Sequence, residues 1–275
     1  MSVFGRGVVA AARHRCTASC AAPRASSSPP RSFISLAALP RECANWLAPS
    51  GPAVLNGTGS EHAYWIVARV RSSWSALGRY RYGPGVDAMD TLRRATDEYC
   101  ARLLAVQTAS QWASPTPCDE WTVRDIADHI LGGNRFTVLI LGGLPPDAAM
   151  DHVIHGDYAD DPGQAFEESA TAQLSALGQP GVLERMYEHP MGLISGRQIA
   201  RLRMSDMVVH AWDLARALGL PEGLDQELVT ESIAVFEDVG ETFTTAGFFG
   251  SGPSGMLAEY SSDQLRLLDM VGRRP

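Results

Sequence analysis

The sequence predicts a mainly α-helical domain: a four-helix bundle with a short hairpin-like insertion and further C-terminal helices, over residues 89–275. Apolar residues recur there at the three- and four-residue spacing of amphipathic helices. Two of the helical segments begin with a capping box, in which Thr122 pairs with Asp125 and Ser195 pairs with Gln198. Long helices with defined ends favour packing into a bundle.

The first predicted helix covers 89–107, with Met89 at its start and Asp90 as a cap-like residue. A polar, proline-bearing loop follows at 114–120. The apolar stripe of this helix consists of Leu92, Ala95, Tyr99, Leu103 and Val106.

The second predicted helix covers 123–141. Thr122 has the residue type of an N-cap, and Asp125 stands at the capping-box position. Trp121 and Ile126 have the spacing of a hydrophobic staple, which fixes the direction in which the chain enters the helix. The sequence therefore defines the start of this helix well.

The third predicted helix begins at Pro162, because Asp161 is a good N-cap and proline is favoured at the first helical position. It ends near Gly178. The segment 181–193 is bounded by Gly and Pro residues, which favours a short hairpin. The apolar stripe of the third helix consists of Phe166, Ala170, Leu174 and Leu177.

The fourth predicted helix covers 196–218 and ends at Gly219, which has the residue type of a C-terminal cap. A fifth helix is predicted at 224–239 and a last short one at 263–271, ending at Gly272. One face of the fifth helix carries Leu228, Ser232, Val235 and Val239.

Residues 1–88 differ in composition from the rest of the chain. They carry ten Arg and three acidic residues, whereas the remainder carries 13 Arg and 28 acidic residues. The segment lacks sustained periodicity and contains the run SSSPP at 26–30, so we expect a disordered leader. Transit peptides share this Arg- and Ser-rich composition. An over-extended gene start is the simpler interpretation, with 89–275 as the folded domain.

Composition also excludes some classes of protein. The acidic body of the chain argues against a nucleic-acid surface, because phosphate binding needs clustered cations. No run approaches the roughly 20 apolar residues of a membrane-spanning helix. Cys100 and Cys118, the two cysteines of the predicted domain, offer no disulfide framework, which fits a reducing compartment. We therefore expect a soluble, cytoplasmic protein.

Three residues form the strongest candidate site. His129 lies on the inward stripe of the second helix, and Asp206 and His210 leave one face of the fourth helix a turn apart. A carboxylate on an apolar stripe is costly unless it is compensated, and two histidines with a metal ion would compensate it. An ion pair between Asp206 and Arg203 is the alternative, and the spacing favours neither. Three ligands would leave an open coordination position, as in catalytic zinc sites.

Two further histidines, His152 and His155, occur with Asp151 and Asp157 in a predicted loop. Such a group can bind a metal ion, but the ordinary polarity of a loop explains it equally well.

The remaining polar candidates have simple structural interpretations. His189 precedes Pro190 in the predicted hairpin, where a structural or exposed position suffices. Ser195 needs no role beyond capping. Asp125 and Asp213 lie four and three residues from the proposed histidines, close enough to orient the imidazoles. For Asp125, helix capping is at least as good an explanation.

Two stretches of the sequence resemble a known family. TPCDEWTVRDIADHILGGNRF at 116–136 and DMVVHAWDLARALG at 206–219 are similar to the two signatures of the mycothiol-dependent maleylpyruvate isomerase metal-binding domain, within the DinB superfamily. The closing LLDMVGRRP at 267–275 resembles the usual end of a branch of small actinobacterial metal-binding proteins. The resemblance covers about 89–275.

This resemblance implies a DinB-like four-helix bundle with an interior zinc-type site, whose ligands fall on His129, Asp206 and His210. Zinc is the expected metal, with nickel, iron or manganese as alternatives. Characterised isomerases of this kind carry Glu at the position of Asp206, so the shorter side chain keeps the charge but changes the reach. Relatives use mycothiol, whose metal-bound sulfur ionises and becomes a nucleophile.

The predicted function is therefore that of a metal- and mycothiol-dependent transferase or isomerase. Its partners would be a small-molecule thiol and a small electrophilic substrate, with no nucleic acid and no membrane. The alternative is a non-catalytic metal-binding module with a stress or regulatory role. Both functions need the same ligands, so the sequence does not separate them.

Overall fold

The computed structural model describes residues 87–118, 120–154, 161–246, 252–258 and 260–274. The expected leader, apart from its last two residues, and the candidate ligands His155 and Asp157 lie outside these described residues. Within the described ranges, no helix is both long enough and apolar enough to cross a membrane.

Four long helices form a bundle. Helices 88–103 and 123–141 each pack against both 162–177 and 196–218. Helix 226–246 packs against 196–218, and helix 263–270 packs against 226–246. The mainly helical bundle predicted from the sequence is confirmed. In chain order the elements are α1 (Ala88–Leu103), α2 (Ala109–Trp112), α3 (Val123–Leu141), α4 (Pro146–Ile154), α5 (Pro162–Leu177), β1 (Met186–His189), β2 (Gly192–Ser195), α6 (Gly196–Leu218), α7 (Gln226–Ala246) and α8 (Asp263–Met270).

The core lies between α1, α3, α5 and α6. Its largest fully buried side chains include Tyr99, Phe166 and Leu92. The rings of Tyr99 and Phe166 tilt against each other at a centroid distance of 4.9 Å, which joins α1 to α5. Aromatic side chains bury large apolar areas, so they contribute strongly to the hydrophobic free energy that holds the helices together.

The predicted starts of α3 and α6 are confirmed, and the capping boxes explain them. The backbone N–H of Thr122 donates to the Asp125 carboxylate at 2.8 Å, and the N–H of Ser195 donates to the Gln198 side chain at 2.7 Å. Both N-cap side chains accept a hydrogen bond in return. Gly219, with φ of 67°, ends α6 in the left-handed conformation that glycine adopts without strain.

The start of α1 corrects the sequence-based expectation. Its N-cap is Asp87 rather than Asp90, because the Asp87 carboxylate accepts the N–H of Met89 at 2.9 Å. The helix also ends earlier than predicted, at Leu103. Thr108 and Gln111 form a capping box of their own, which starts the single turn of α2.

Two other helices differ from the prediction. A helix, α4, occupies 146–154, so His152 lies on an exposed helical position and not in a loop. Helix α7 begins at Gln226, two residues later than predicted, because the Asp225 carboxylate accepts the N–H groups of Glu227 and Leu228. It continues to Ala246, seven residues beyond the predicted end.

The hairpin predicted before the fourth helix is present but shifted. Strands β1 and β2 are antiparallel, with Tyr187 opposite Ile194, and they span 186–195 rather than 181–193. Gly192, with φ of 94°, lies at the turn and Ser195 passes directly into α6. The buried face of the hairpin covers the bundle next to α3 and α6.

Candidate metal centre

The structure brings the three predicted ligands together between α3 and α6. His129 Nε2 lies 3.2 and 3.3 Å from the two oxygens of Asp206, and His210 Nε2 lies 3.4 Å from Asp206 Oδ1. One ligand atom from each side chain falls within 4.8 Å of the other two. Among the described residues, no other group of three or more His, Cys, Asp or Glu side chains is placed to hold a metal ion.

These separations fit a first-row divalent metal ion. Zinc binds imidazole nitrogen and carboxylate oxygen at about 2.0–2.2 Å, so neighbouring ligand atoms of a tetrahedral site lie roughly 3.3–3.5 Å apart. The distances from Asp206 to His129 and to His210 are already of this size. The donor set of two imidazoles and one carboxylate also suits zinc, nickel or iron.

The helical periodicity places the ligands, and the packing sets their exposure. Asp206 and His210 are four residues apart on α6 and face α3, where His129 lies. His210 is buried, whereas 31% of the His129 side chain remains exposed. The cluster is therefore open to solvent on the His129 side.

A second carboxylate orients His210. Its Nδ1 lies 2.9 Å from Asp213 Oδ2, on the same helix, and Asp213 is fully buried. Because a carboxylate only accepts hydrogen bonds, this contact assigns the proton to Nδ1 and leaves the lone pair on Nε2. The predicted role of Asp213 in orienting an imidazole agrees with this geometry.

Arg203 also contacts the candidate ligand Asp206. Its Nη1 donates to Asp206 Oδ2, and its Nη2 donates to the Ile130 carbonyl and to Asn134 Oδ1, both at 3.1 Å. The Nε donates to Gln173. The ion pair and the histidine cluster, which the sequence offered as alternatives, are thus both present at one carboxylate.

Electrostatics keep Asp206 ionised and His210 neutral. Burial raises the pKa of the Asp206 carboxyl, but its interactions with His129 and Arg203 outweigh burial and hold that pKa well below its usual range. Burial lowers the pKa of His210, and the hydrogen bond to Asp213 offsets this only in part. An anionic carboxylate and a neutral imidazole are the forms that bind metal ions.

Trp121 forms one wall of the cluster, a role that the sequence analysis missed. Its ring stacks on His210 at a centroid distance of 5.7 Å and 14°, and it tilts against His129 at 5.0 Å. The available sequence signal is its position immediately before the Thr122 cap, which by itself predicts only a hydrophobic staple. The same position brings the ring against His129.

Arg273 is the other residue that sequence reasoning missed. It donates two hydrogen bonds to Asp213, although 60 residues separate them. The remaining candidates lie elsewhere or have structural roles. Asp125 completes the capping box of α3, and Ser195 caps α6. His189, in the hairpin, packs edge-on against Phe136 of α3.

Comparison with known proteins places this geometry in a family context. The profile of the family described as "Mycothiol maleylpyruvate isomerase N-terminal domain" matches residues 92–215. The match runs from α1 into α6 and includes His129, Asp206 and His210. No solved structure matches the chain significantly.

Two similar proteins come from Mycobacterium tuberculosis, and both are named as uncharacterized. One is 33% identical over 150 residues, which covers 54% of this chain and 77% of the relative. The other is 26% identical over 164 residues, which covers 53% of this chain and 61% of the relative.

Proposed function

This chain belongs to the mycothiol maleylpyruvate isomerase N-terminal domain family, and from this premise we propose that it is a metal-dependent enzyme that activates a small thiol. The metal is one divalent ion, zinc first, held by His129, Asp206 and His210. The thiol is mycothiol, and the reaction is transfer to, or isomerisation of, a small electrophile. The protein acts in the cytoplasm.

One observation carries the proposal. Two imidazoles and a carboxylate, contributed by α3 and α6, converge so that their ligand atoms lie within 4.8 Å of one another, and the cluster opens to solvent beside His129. A structural zinc site is closed by four protein ligands, whereas a catalytic site has three and leaves a position for an exogenous ligand. Three ligands with an open side therefore support a catalytic role.

The residues around the cluster have distinct tasks in this proposal. Asp206 supplies the negative charge, and Asp213 holds the His210 ring so that Nε2 faces the ion. Trp121 covers the ring of His210 and limits the access of water from that side. When bound, the metal ion would favour the ionised form of a thiol ligand, which is the nucleophilic form.

Cobalt substitution tests the proposal. Cobalt-loaded protein should develop an intense sulfur-to-metal charge-transfer absorption when mycothiol is added, at lower concentration than with simple thiols. Asp206 and the two histidines should remain bound. A fully cobalt-loaded protein that gives no such absorption with any thiol would reject thiol activation and favour a non-catalytic metal-binding module.

Two variants show whether the absorption arises at this site. His129→Ala should lose cobalt binding, and with it the thiol-dependent absorption. His152→Ala, which removes an exposed imidazole on α4, is the matched control and should behave as the unmodified protein. A band of equal strength with every thiol, at similar concentrations, would support an open metal site but contradict mycothiol specificity.

A further inference from the structure

We propose that Arg273, in the segment after α8, is a positioning residue of the metal centre: through Asp213 it fixes the ring of His210. The role in metal binding rests on the function proposed above, whereas the orientation of the ring does not. Arg273 lies outside residues 92–215, the part of the chain that the family profile covers.

The contact between Arg273 and Asp213 is bidentate and buried. Arg273 Nε donates to Asp213 Oδ1 at 3.0 Å, and Nη2 donates to Oδ2 at 2.7 Å. The side chains are 3% and 0% exposed, so water does not compete for these hydrogen bonds. Two parallel hydrogen bonds to a planar guanidinium fix the plane of the carboxylate as well as its position.

That carboxylate in turn determines how His210 is presented. Asp213 Oδ2 accepts from Arg273 and also contacts His210 Nδ1 at 2.9 Å, on the opposite side of the ring from Nε2. A carboxylate in this place selects the Nδ1–H tautomer and restrains rotation of the ring. Restraining the carboxylate therefore restrains the atom that faces Asp206.

The guanidinium is itself held rigidly. The N–H of Arg273 donates to the Leu268 carbonyl at 2.8 Å, and its Nη1 donates to the Val271 carbonyl at 3.0 Å. Gly272, with φ of 75°, forms the turn that directs Arg273 inward. The hydrogen bonds thus connect the end of α8 to His210, a candidate ligand on α6. Helix α8 itself packs on α7, and α7 packs on α6.

The neighbouring Arg274 provides a matched control. It is also an arginine paired with a carboxylate, Asp269, at 3.1 Å, but 46% of its side chain is exposed. Its other contacts include the Gly252 carbonyl. Substitution at 274 removes the same charge from the same segment without changing the partners of Asp213.

The experiment compares the full chain with R273Q, R274Q, D213N and the double variant D213N/R273Q. The first measurement is the affinity for cobalt. The second is the nitrogen NMR spectrum of the His210 imidazole in the metal-free protein, which distinguishes the two neutral tautomers. The double variant removes both buried charges, so it keeps the test available if R273Q alone does not fold.

We expect R273Q to weaken cobalt binding about 10- to 100-fold, as is typical when a partner of a ligand is lost. R274Q should change the affinity by less than about threefold, as expected for a partly exposed ion pair. If Arg273 acts through Asp213, R273Q should add less than about threefold in the D213N background. An equal loss in both backgrounds, or unchanged affinity in R273Q, would overturn the inference.

The NMR measurement separates this inference from the proposed function. Should the unmodified protein fail to bind cobalt, the metal site is rejected, but the ring orientation can still be tested. A single Nδ1–H tautomer in the unmodified protein and in R274Q, with a mixture of tautomers in R273Q, supports the positioning role. The same spectrum for His210 in all three proteins contradicts it.

Discussion

The guanidinium of Arg203 lies so close to the backbone of Gly133 that a β-carbon at residue 133 would stand 2.3 Å from its Nη1. Gly133 is on α3, one turn after His129, and Arg203 is on α6, one turn before Asp206. The absence of a side chain at 133 thus makes room for the buried cation that pairs with the candidate ligand.

Replacing Gly133 with alanine should destabilise the protein, although the same change in an open helix would stabilise it. Alanine gains about 0.5–1 kcal/mol over glycine in a helix interior. Overpacking costs about 1–3 kcal/mol, and here Arg203 can move only by giving up hydrogen bonds to Asn134, Gln173 and Asp206. We expect a net loss of about 1–2 kcal/mol in the free energy of unfolding, measured with urea.

Gly223→Ala is the control for that change. A β-carbon at Gly223 would meet no atom within 4 Å, and the residue does not adopt positive φ. Its free energy of unfolding should stay within about 0.5 kcal/mol of the unmodified protein. If the Gly133→Ala variant is as stable as the Gly223→Ala variant, Arg203 is not confined as described.

The second prediction concerns metal content. The purified protein should bind about one divalent ion per chain, measured by elemental analysis after dialysis. His129→Ala and His210→Ala should each abolish binding, because two remaining ligands hold a divalent ion weakly. Full metal content in either variant would show that the ion is bound elsewhere.

The third prediction separates the two roles of Asp206. Asp206→Asn should lose the metal ion and also destabilise the metal-free protein by about 3–5 kcal/mol, because Arg203 remains buried without its counter-charge. Asp206→Glu keeps the charge and is the control, with a smaller loss of stability. If the metal-free Asn variant unfolds at the same urea concentration as the unmodified protein, the ion pair contributes nothing to the fold.

The fourth prediction is a pH dependence that originates in the hairpin. Burial, together with the charge of Arg203, lowers the pKa of His189 to about 3 from 6.5. The neutral ring also accepts the N–H of Met191 at Nδ1, at 3.1 Å. The unfolded chain therefore binds a proton near pH 6.5 that the folded chain does not take up until about pH 3.

The free energy of unfolding should consequently fall as the pH decreases below 6.5, the pKa of His189 in the unfolded chain. The contribution of His189 is at most about 1.4 kcal/mol per pH unit. His189→Gln, whose side-chain oxygen can still accept the N–H of Met191, should reduce the slope between pH 6.5 and pH 5 by up to that amount. Urea unfolding at several pH values measures both slopes, and parallel slopes would place the pH dependence in other groups.

Some features of the fold follow from residues that are close in sequence. Thr122 with Asp125, and Ser195 with Gln198, satisfy each other's backbone groups across three residues, so the starts of α3 and α6 are local properties. Weaker local signals do not decide where a helix starts. Asp87 and Asp90 are both acidic residues near one helix start, and only the backbone hydrogen bond to Asp87 distinguishes them.

By itself, the sequence determined that Asp206 and His210 share one face of a helix, because the helical period fixes the relation between residues four apart. It also placed His129 on the inward stripe of another helix. The local spacing also allowed the ion pair between Arg203 and Asp206, three residues apart on α6. The packing of α3 on α6 decided that His129 reaches the same carboxylate. The turn after α8 decided that Arg273 reaches Asp213. Contacts between residues 60 or more apart depend on how the helices pack, and no local rule of spacing specifies them.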